Sequence, residues 1–312
     1  MYNQLKYTNI NMNIKQKIID YSKSIGIDTI GFTTPEIPQA DINNYIEYLN
    51  TKNYGDMSWM ETRRELRLDP LKLHPSTKTV IMIGLNYFDS TKPKYDYEIS
   101  IYANQQVDYH SWVYEKAKLL SAYLVTLGGE NRHFVDTAPI LEKVFAKKTS
   151  LGWQGKHTCV LSTKFGNWLF LGSILTSLEI EPDEPHRDMC GTCTKCIDAC
   201  PTQALTPYKL DVKKCLSYLT IEHKGEIPKE LHEKFGNKVF GCDDCLQACH
   251  FNKFEKQSEH MEVQYNEKFP KSLEEFNNLT EESFSDTFRK TPIKRLGLAN
   301  LLRNVKIALK NR

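Results

Sequence analysis

Four cysteines crowd one short stretch, at Cys190, Cys193, Cys196 and Cys200, with Pro201 directly behind the last. Three thiols separated by two residues each, then a fourth three residues further on before a proline, is the ligand spacing of paired iron–sulfur clusters, in which the fourth cysteine serves the other cluster. A second ligand set must therefore exist. Cys242, Cys245 and Cys249 supply three members and Cys215 a fourth, making eight, or two clusters of four. A tight loop points successive sulfurs at one centre, while the last cysteine is expected to start a helix aimed across at the neighbour. This reading assigns Cys190, Cys193, Cys196 and Cys249 to one [4Fe-4S] cluster, and Cys200, Cys215, Cys242 and Cys245 to the other. Zinc competes wherever Cys-x-x-Cys motifs pair, but four cysteines ending in Cys200-Pro201 overfill a tetrahedral zinc site. Every iron in such a pair is already ligated, so the clusters form a one-electron wire and the chemistry must sit elsewhere in the chain.

The remaining sequence has room for it. The chain has 312 residues, 40% of them hydrophobic, and a formal charge of +2, enough for one large core and a smaller unit. There is no apolar leader after Met1 and no run of 18 apolar residues, so the expectation is a cytoplasmic protein without membrane contact, where thiols stay reduced. Cys159, the ninth cysteine, lies in an apolar run and reads as a buried core thiol. Charge is segregated late in the chain: Glu255 to Asp286 carries nine acids and three bases, Arg289 to Arg312 eight bases and no acid.

Taken in order, apolar spacing predicts a helix from Asn13 to Ile25 ending at Gly26, then a strand over Ile27 to Phe32. Tyr45 to Arg67 reads as helical with a break at Tyr54 to Asp56. The basic cluster of Arg63, Arg64 and Arg67 reads as a solvated helix face. Thr79 to Leu85 lacks polar alternation, as in a strand buried on both faces. A helix led by Asp108-Tyr109-His110 closes at Gly128-Gly129, and His110 reads first as a structural histidine. His133 to Asp136 forms a short strand, and Thr137 to Lys143 begins a helix with Pro139 in its first turn. Asp136 at that junction is either the cap of the helix or a functional carboxylate at a strand end. Gly152 and Gly155 suit a plain hairpin or the approach of backbone to a flat ligand. Strand-like residues continue through Val160, Leu161 and Trp168 to Leu178, and a polar linker runs from Glu179 to Pro185. The alternation predicts an α/β or α+β domain with a central sheet over residues 1–178, a ferredoxin-like double-cluster module over 179–255, and C-terminal helices over 256–312. The last of these is amphipathic, with Arg303, Lys306 and Lys310 opposite its apolar face. No dinucleotide or phosphate-loop signature is present, and Asp108-Tyr109-His110 lacks the following glycine of proteins that ligate cobalt through histidine.

The combination of Gly55-Asp56-Met57-Ser58-Trp59-Met60, Arg67 to Pro70, Asp108-Tyr109-His110, Val135 to Pro139, Gly152 to Lys156, both cysteine motifs and Thr291 to Arg295 resembles the epoxyqueuosine reductases from about Gly55 onward. Reductive dehalogenases share the cluster module and cofactor but are exported behind a twin-arginine leader. The resemblance implies reduction of the epoxide of epoxyqueuosine, at the wobble position of tRNA, to the alkene of queuosine in the last step of queuosine biosynthesis. It implies a base-off cobalamin fed singly with electrons by the clusters, with Asp136 as the general acid at the departing oxygen and a carboxyl pKa raised by the apolar cofactor face. Met57, Trp59, Asp136, Trp153, Gly155 and Lys156 would line the corrin. Lys294, Arg295, Arg303 and Lys306 would meet RNA. A flavodoxin- or ferredoxin-type one-electron donor and a monomeric state are further expectations. Tyr102 to Val107 departs from the family pattern, and His250 stands where a proline is usual. The competing readings are a ferredoxin-like electron carrier and a cobalamin-dependent reductase of a small molecule.

Overall fold

The computed structural model describes residues 14–91 and 93–312. Four strands form the central sheet: β1 (Thr29–Thr33), β2 (Thr79–Asn86), β3 (Asn131–Phe134) and β4 (Leu169–Thr176). Their order is β1-β2-β4-β3 and every pairing is antiparallel, so the domain is α+β.

The run from Thr79 is a strand buried along its whole length, because side chains alternate between two cores. Ile81, Ile83 and Leu85 enter one core, with helix α1 (residues 14–24) and helix α3 (Tyr109–Thr126). Val80 and Met82 enter the other, with Phe145 and Ala146 of the short helix α4 (Glu142–Ala146). Each such side chain contributes about 1.5–3 kcal/mol. Two covered faces remove any need for polar alternation. The linker after β4 is pinned to this sheet: Asp183 accepts from the Phe32 and Ser150 backbone and pairs with Lys15.

Between β1 and β2, helix α2 (Gln39–Asn50) ends well before the predicted helical stretch does, and Ser58–Met60 and Arg64–Leu68 are separate short turns. The break is a docking contact. Gly55 has φ +58° and a Cβ there would lie 2.2 Å from Tyr218 Oη, while Asp56 accepts from Tyr218, His223 and the Lys224 backbone. This joins the sheet domain to Leu216–Ile221 of the cysteine region. Gly55→Ala should therefore destabilise the protein by more than about 1 kcal/mol. Chemical denaturation would detect it, and an unchanged midpoint would contradict the contact.

A third core combines segments far apart in sequence. Glu98–Ile99 pairs in parallel with Lys238–Phe240, and helix α5 (Leu298–Lys310) lays Leu298, Leu301, Val305 and Ala308 over that pair with Phe269, Phe276 and Phe288. Asn304, fully buried, donates to Thr220 O and Val239 O. The acidic and basic segments thus fold together, and Arg312 pairs with Asp96 and Glu274. Among the described residues no helix is long and apolar enough to cross a membrane.

Candidate active site

Asp136 follows β3 in the left-handed region, with φ +46°, which costs a non-glycine residue about 1–3 kcal/mol. It caps nothing. The segment after it bends through residues 137–140, and α4 begins only at Glu142, with Leu141 at its cap position. The capping reading and the predicted helix start at Thr137 are both corrected. The strained turn instead aims the carboxylate at the start of α3: Asp136 Oδ2 accepts from Tyr109 Oη and meets His110 Nε2, each at 2.9 Å. The other imidazole nitrogen meets Asp108 Oδ1 at 2.7 Å, and Asp108 also caps α3 through the His110 backbone N–H.

Carboxylates on both ring nitrogens define the protonation. Burial works against charge on His110, but the hydrogen bonds to Asp108 and Asp136 outweigh it and push the imidazolium up to about 9. Burial raises the Asp136 carboxyl, yet hydrogen bonds from His110 and Tyr109, with Arg295 nearby, hold it below its ordinary value. The raised acid expected at Asp136 is thus found next door. Burial, then the Asp136 charge, push Glu142 up to about 8, although its carboxylate accepts the Asp136 N–H at 3.1 Å. At neutral pH the constellation holds protons on His110 and Glu142, with Asp136 ionised between them.

The His110 shift has a definite sign. A pKa raised on folding contributes stability fully present below the ordinary histidine value and lost as pH rises through about 9. The destabilisation caused by His110→Gln should therefore shrink between pH 7 and 10 in denaturation midpoints. A constant difference would contradict the paired imidazolium.

The eight motif cysteines lie in two stretches, Cys190 to Cys200 and Cys215 to Cys249. Among the described residues no three His, Cys, Asp or Glu side chains are grouped as around a single metal ion, so the thiols are sorted by which of them interact. Cys196 interacts with Cys249, Cys190 and Cys193. Cys215 interacts with Cys200 and Cys159, Cys242 with Cys215, and Cys245 with Cys159, Cys242 and Cys215. Two four-residue helices, Lys195–Asp198 and Asp244–Gln247, pack against each other. Cys200 and Cys249 lie just past the ends of these helices. The expectation that the last cysteine starts a helix is corrected at Cys200, which only follows one, and met at Cys249, the N-cap of the short helix His250–Phe254.

A cavity of about 730 Å³ opens between the sheet domain and the cysteine region. Tyr45, Tyr48, Met60, Leu141 and Val144 give it an apolar wall, and Asn44, Asn53, Gln154 and Lys147 give polar groups. Of the six residues expected around a corrin, Trp153 lines this cavity. Met57 packs between the α2 cluster and Leu216. Trp59, 43% exposed, lines a separate recess of about 290 Å³ with Arg295, Glu222, Lys224 and Asn300. Gly155 belongs to a hairpin in which Trp153–Gln154 pairs with Val160–Leu161. Gly152 is required there because a Cβ would sit 1.7 Å from Leu161 O, so the hairpin accounts for it. Lys156 points away, donating to Gly191 O and Cys193 O at 2.6 and 2.9 Å. Asp136 is joined to the cavity wall through Glu142, which neighbours Leu141.

Of the basic residues, Arg295 is exposed, pairs with Glu222 and influences Asp136 and Asp108. Lys294 stands 4.9 Å over the Phe284 ring, and Lys306 is exposed. Arg303 is turned inward: its guanidinium donates to Leu219 O, His223 O and Gly225 O, completing the end of the helix Leu216–Ile221, and is corrected from an RNA contact to a structural one. Arg67 is likewise buried, with Nη2 on Trp59 O, unlike the solvated face expected. Cys159 is only partly buried, not a core thiol, and Lys143 Nζ lies 3.8 Å from its sulfur. Burial raises that thiol, but Lys143 and His157 pull it down to about 6.

Sequence reasoning passed over Tyr109 and Glu142 and weighed His110 as structural. The available signal was the Asp108-Tyr109-His110 motif at a helix start, where side chains point at the neighbouring strand end.

Residues 189–252 match a 4Fe-4S double cluster binding domain. That match and the cysteine motifs within it define an iron–sulfur protein. Residues 67–137 match a model described as epoxyqueuosine reductase QueG, DUF1730. An epoxyqueuosine reductase of Leadbetterella byssophila is 39% identical over 296 residues, 92% of this chain and 97% of that protein. The Escherichia coli one is 35% identical over 314 residues, 96% and 81% of the two chains. A crystal structure of epoxyqueuosine reductase with an epoxyqueuosine-modified tRNA-Tyr stem loop superposes with TM-score 0.89 at 30% identity, covering 96% of this chain and 82% of that one. A Bacillus subtilis epoxyqueuosine reductase, described with its catalytic loop swung out of the active site, gives 0.86 at 29% identity over 96% and 82%. The chain belongs to the epoxyqueuosine reductase family.

Proposed function

We infer that this chain reduces epoxyqueuosine in tRNA to queuosine, with residues 1–178 holding cobalamin, 179–255 two [4Fe-4S] clusters and 256–312 contributing an RNA-facing surface. The observation that carries the reading is one juxtaposition. The wall of the 730 Å³ cavity is made on one side by the segment that binds Asp136 and on the other by the hairpin bound to the Cys190 loop.

The cavity fits a corrin in kind, with aromatic and aliphatic walls for the ring and amide and charged groups for its polar side chains. When bound, cobalamin would supply a strongly reducing cobalt, and the clusters would deliver electrons to it one at a time. Two electrons and two protons convert the epoxide to the alkene and water. The chain's own part is the proton at the departing oxygen. Asp136 and His110 share one transferable proton across their 2.9 Å contact, and Glu142 keeps a second beside it. Tyr109 holds the carboxylate in place. A small-molecule substrate would leave the exposed Trp59 and Arg295 without a task, whereas a splayed anticodon loop uses aromatic stacking and basic contacts together.

Reversal of Lys294 and Arg295 to glutamate should weaken tRNA binding and flatten its salt dependence, and Trp59→Ala should cost about 1–3 kcal/mol if a base stacks there. Arg303→Ala should lower stability and leave the salt slope unchanged. Equal slopes for all variants would move the RNA elsewhere. Anaerobically reconstituted protein should hold about eight irons, as two four-iron clusters require, and take up cobalamin. Zinc without iron, or refusal of the corrin, would contradict the reading.

A further inference from the structure

Two buried N–H donors in the Trp153 hairpin lack a partner. Trp153 Nε1 and His157 Nε2 are inaccessible and hydrogen-bond to no protein atom, an omission that costs about 1–3 kcal/mol per buried group. His157 Nδ1 lies 3.2 Å from the Cys159 backbone nitrogen, and Nε2 carries a proton both in the neutral ring that accepts there and in the imidazolium.

Trp153, Leu161 and Phe251 pack in one cluster with Cys190 and Cys249. The indole interacts with Cys190, and the His157 imidazole, beside the cluster, with Cys159 and Cys249. The hairpin is held in register by Lys156 on Gly191 O and Cys193 O, and the indole by the edge contact of Phe251 at 4.7 Å. In the other group, Cys200 has the Ala204 backbone N–H at 3.3 Å and the Thr202 hydroxyl at 3.6 Å, with no ring donor between them. The asymmetry has a chemical meaning, because thiolates that ligate iron carry more charge than thiols and more still when the cluster is reduced.

We propose that Trp153 and His157 are positioning residues for the Cys190–Cys193–Cys196–Cys249 cluster, donating N–H hydrogen bonds to the Cys190 and Cys249 sulfurs and raising its reduction potential relative to the second cluster. Donation to cluster sulfur stabilises the more negative, reduced state, and such bonds are among the protein's means of setting potential. Trp153 also lines the cavity, so an electron entering the pair comes to rest on the cluster at the cavity wall. This rests on the cysteines holding two four-iron clusters, and is independent of the RNA substrate.

The test is an EPR-monitored redox titration of the full-length, cluster-loaded protein. Trp153→Phe keeps the ring and removes the donor. His157→Asn keeps an acceptor for the Cys159 N–H and removes the other. Each is expected to disfavour reduction of one cluster about tenfold, which is about 59 mV for a one-electron couple, with the second cluster unmoved. Potentials that stay put, or two clusters that shift together, would overturn the proposal. Should a variant lose its clusters, the unmutated protein still decides. Hyperfine spectroscopy after transfer to deuterated water should find two strongly coupled, slowly exchanging protons at one cluster, and none there would overturn it. A protein devoid of iron would instead sink the cluster assignment itself.

Discussion

Asp136→Asn is expected to fold, bind its clusters and lose about 10²–10⁴ of its turnover, the range that general acid catalysis contributes. Asparagine preserves the size of the side chain and can still accept from Tyr109, but it cannot share a proton with His110 across the 2.9 Å contact. The backbone strain at φ +46° argues for the same conclusion, since asparagine tolerates that region as well as aspartate. Loss of activity would then reflect proton chemistry rather than misfolding. Single-turnover assays on chemically reduced protein would separate the proton step from electron delivery. Normal turnover would remove Asp136 from the role of donor and leave Glu142 or His110 to be tested in its place. The expected pH profile follows the same logic, because deprotonation of Glu142 near 8 and His110 near 9 empties the local proton store, so activity should fall as pH rises through those values.

Cys242→Ala carries the second large effect. The proposed assignment places Cys242 with Cys215, Cys245 and Cys200, so its removal should degrade that cluster while the Cys190 group stays loaded. Iron analysis should show a loss of up to about half the metal, with four irons in each cluster, and EPR should retain the other cluster's signal. Catalytic turnover should fall to background because the wire is cut. Full iron and full activity would mean that Cys242 is no ligand.

The cysteine motifs were legible because ligand spacing is a local constraint, and β2 was legible because burial on two faces erases polar alternation from the sequence. Asp136 shows where local reading runs out. Its position at a strand end suggested a cap, but its side chain is held by Tyr109 and His110, 27 and 26 residues earlier in the chain, a tertiary contact that no periodicity encodes. Arg303 fails for the related reason that a basic residue on a helix reads as solvated until the neighbouring helix end, with its bare carbonyls, is known to lie beneath it. Lys156 and Gly152 are a third instance: their motif signalled a close approach, and the partners proved to be the cysteine loop and the opposite hairpin strand. The all-antiparallel sheet was likewise invisible, since strand pairing is set by non-local register.

The central claim, that electrons pass from two clusters to a corrin that works beside Asp136 on tRNA, is tested most directly by one assay. Epoxyqueuosine-containing tRNA is incubated with the anaerobically reconstituted protein and a low-potential reductant, with and without cobalamin, and the digested nucleosides are separated and weighed by mass spectrometry. Conversion to queuosine, with loss of one oxygen and only when cobalamin is present, is the expected result. Unaltered epoxyqueuosine in the presence of both cofactors, or equal conversion without cobalamin, would contradict the account.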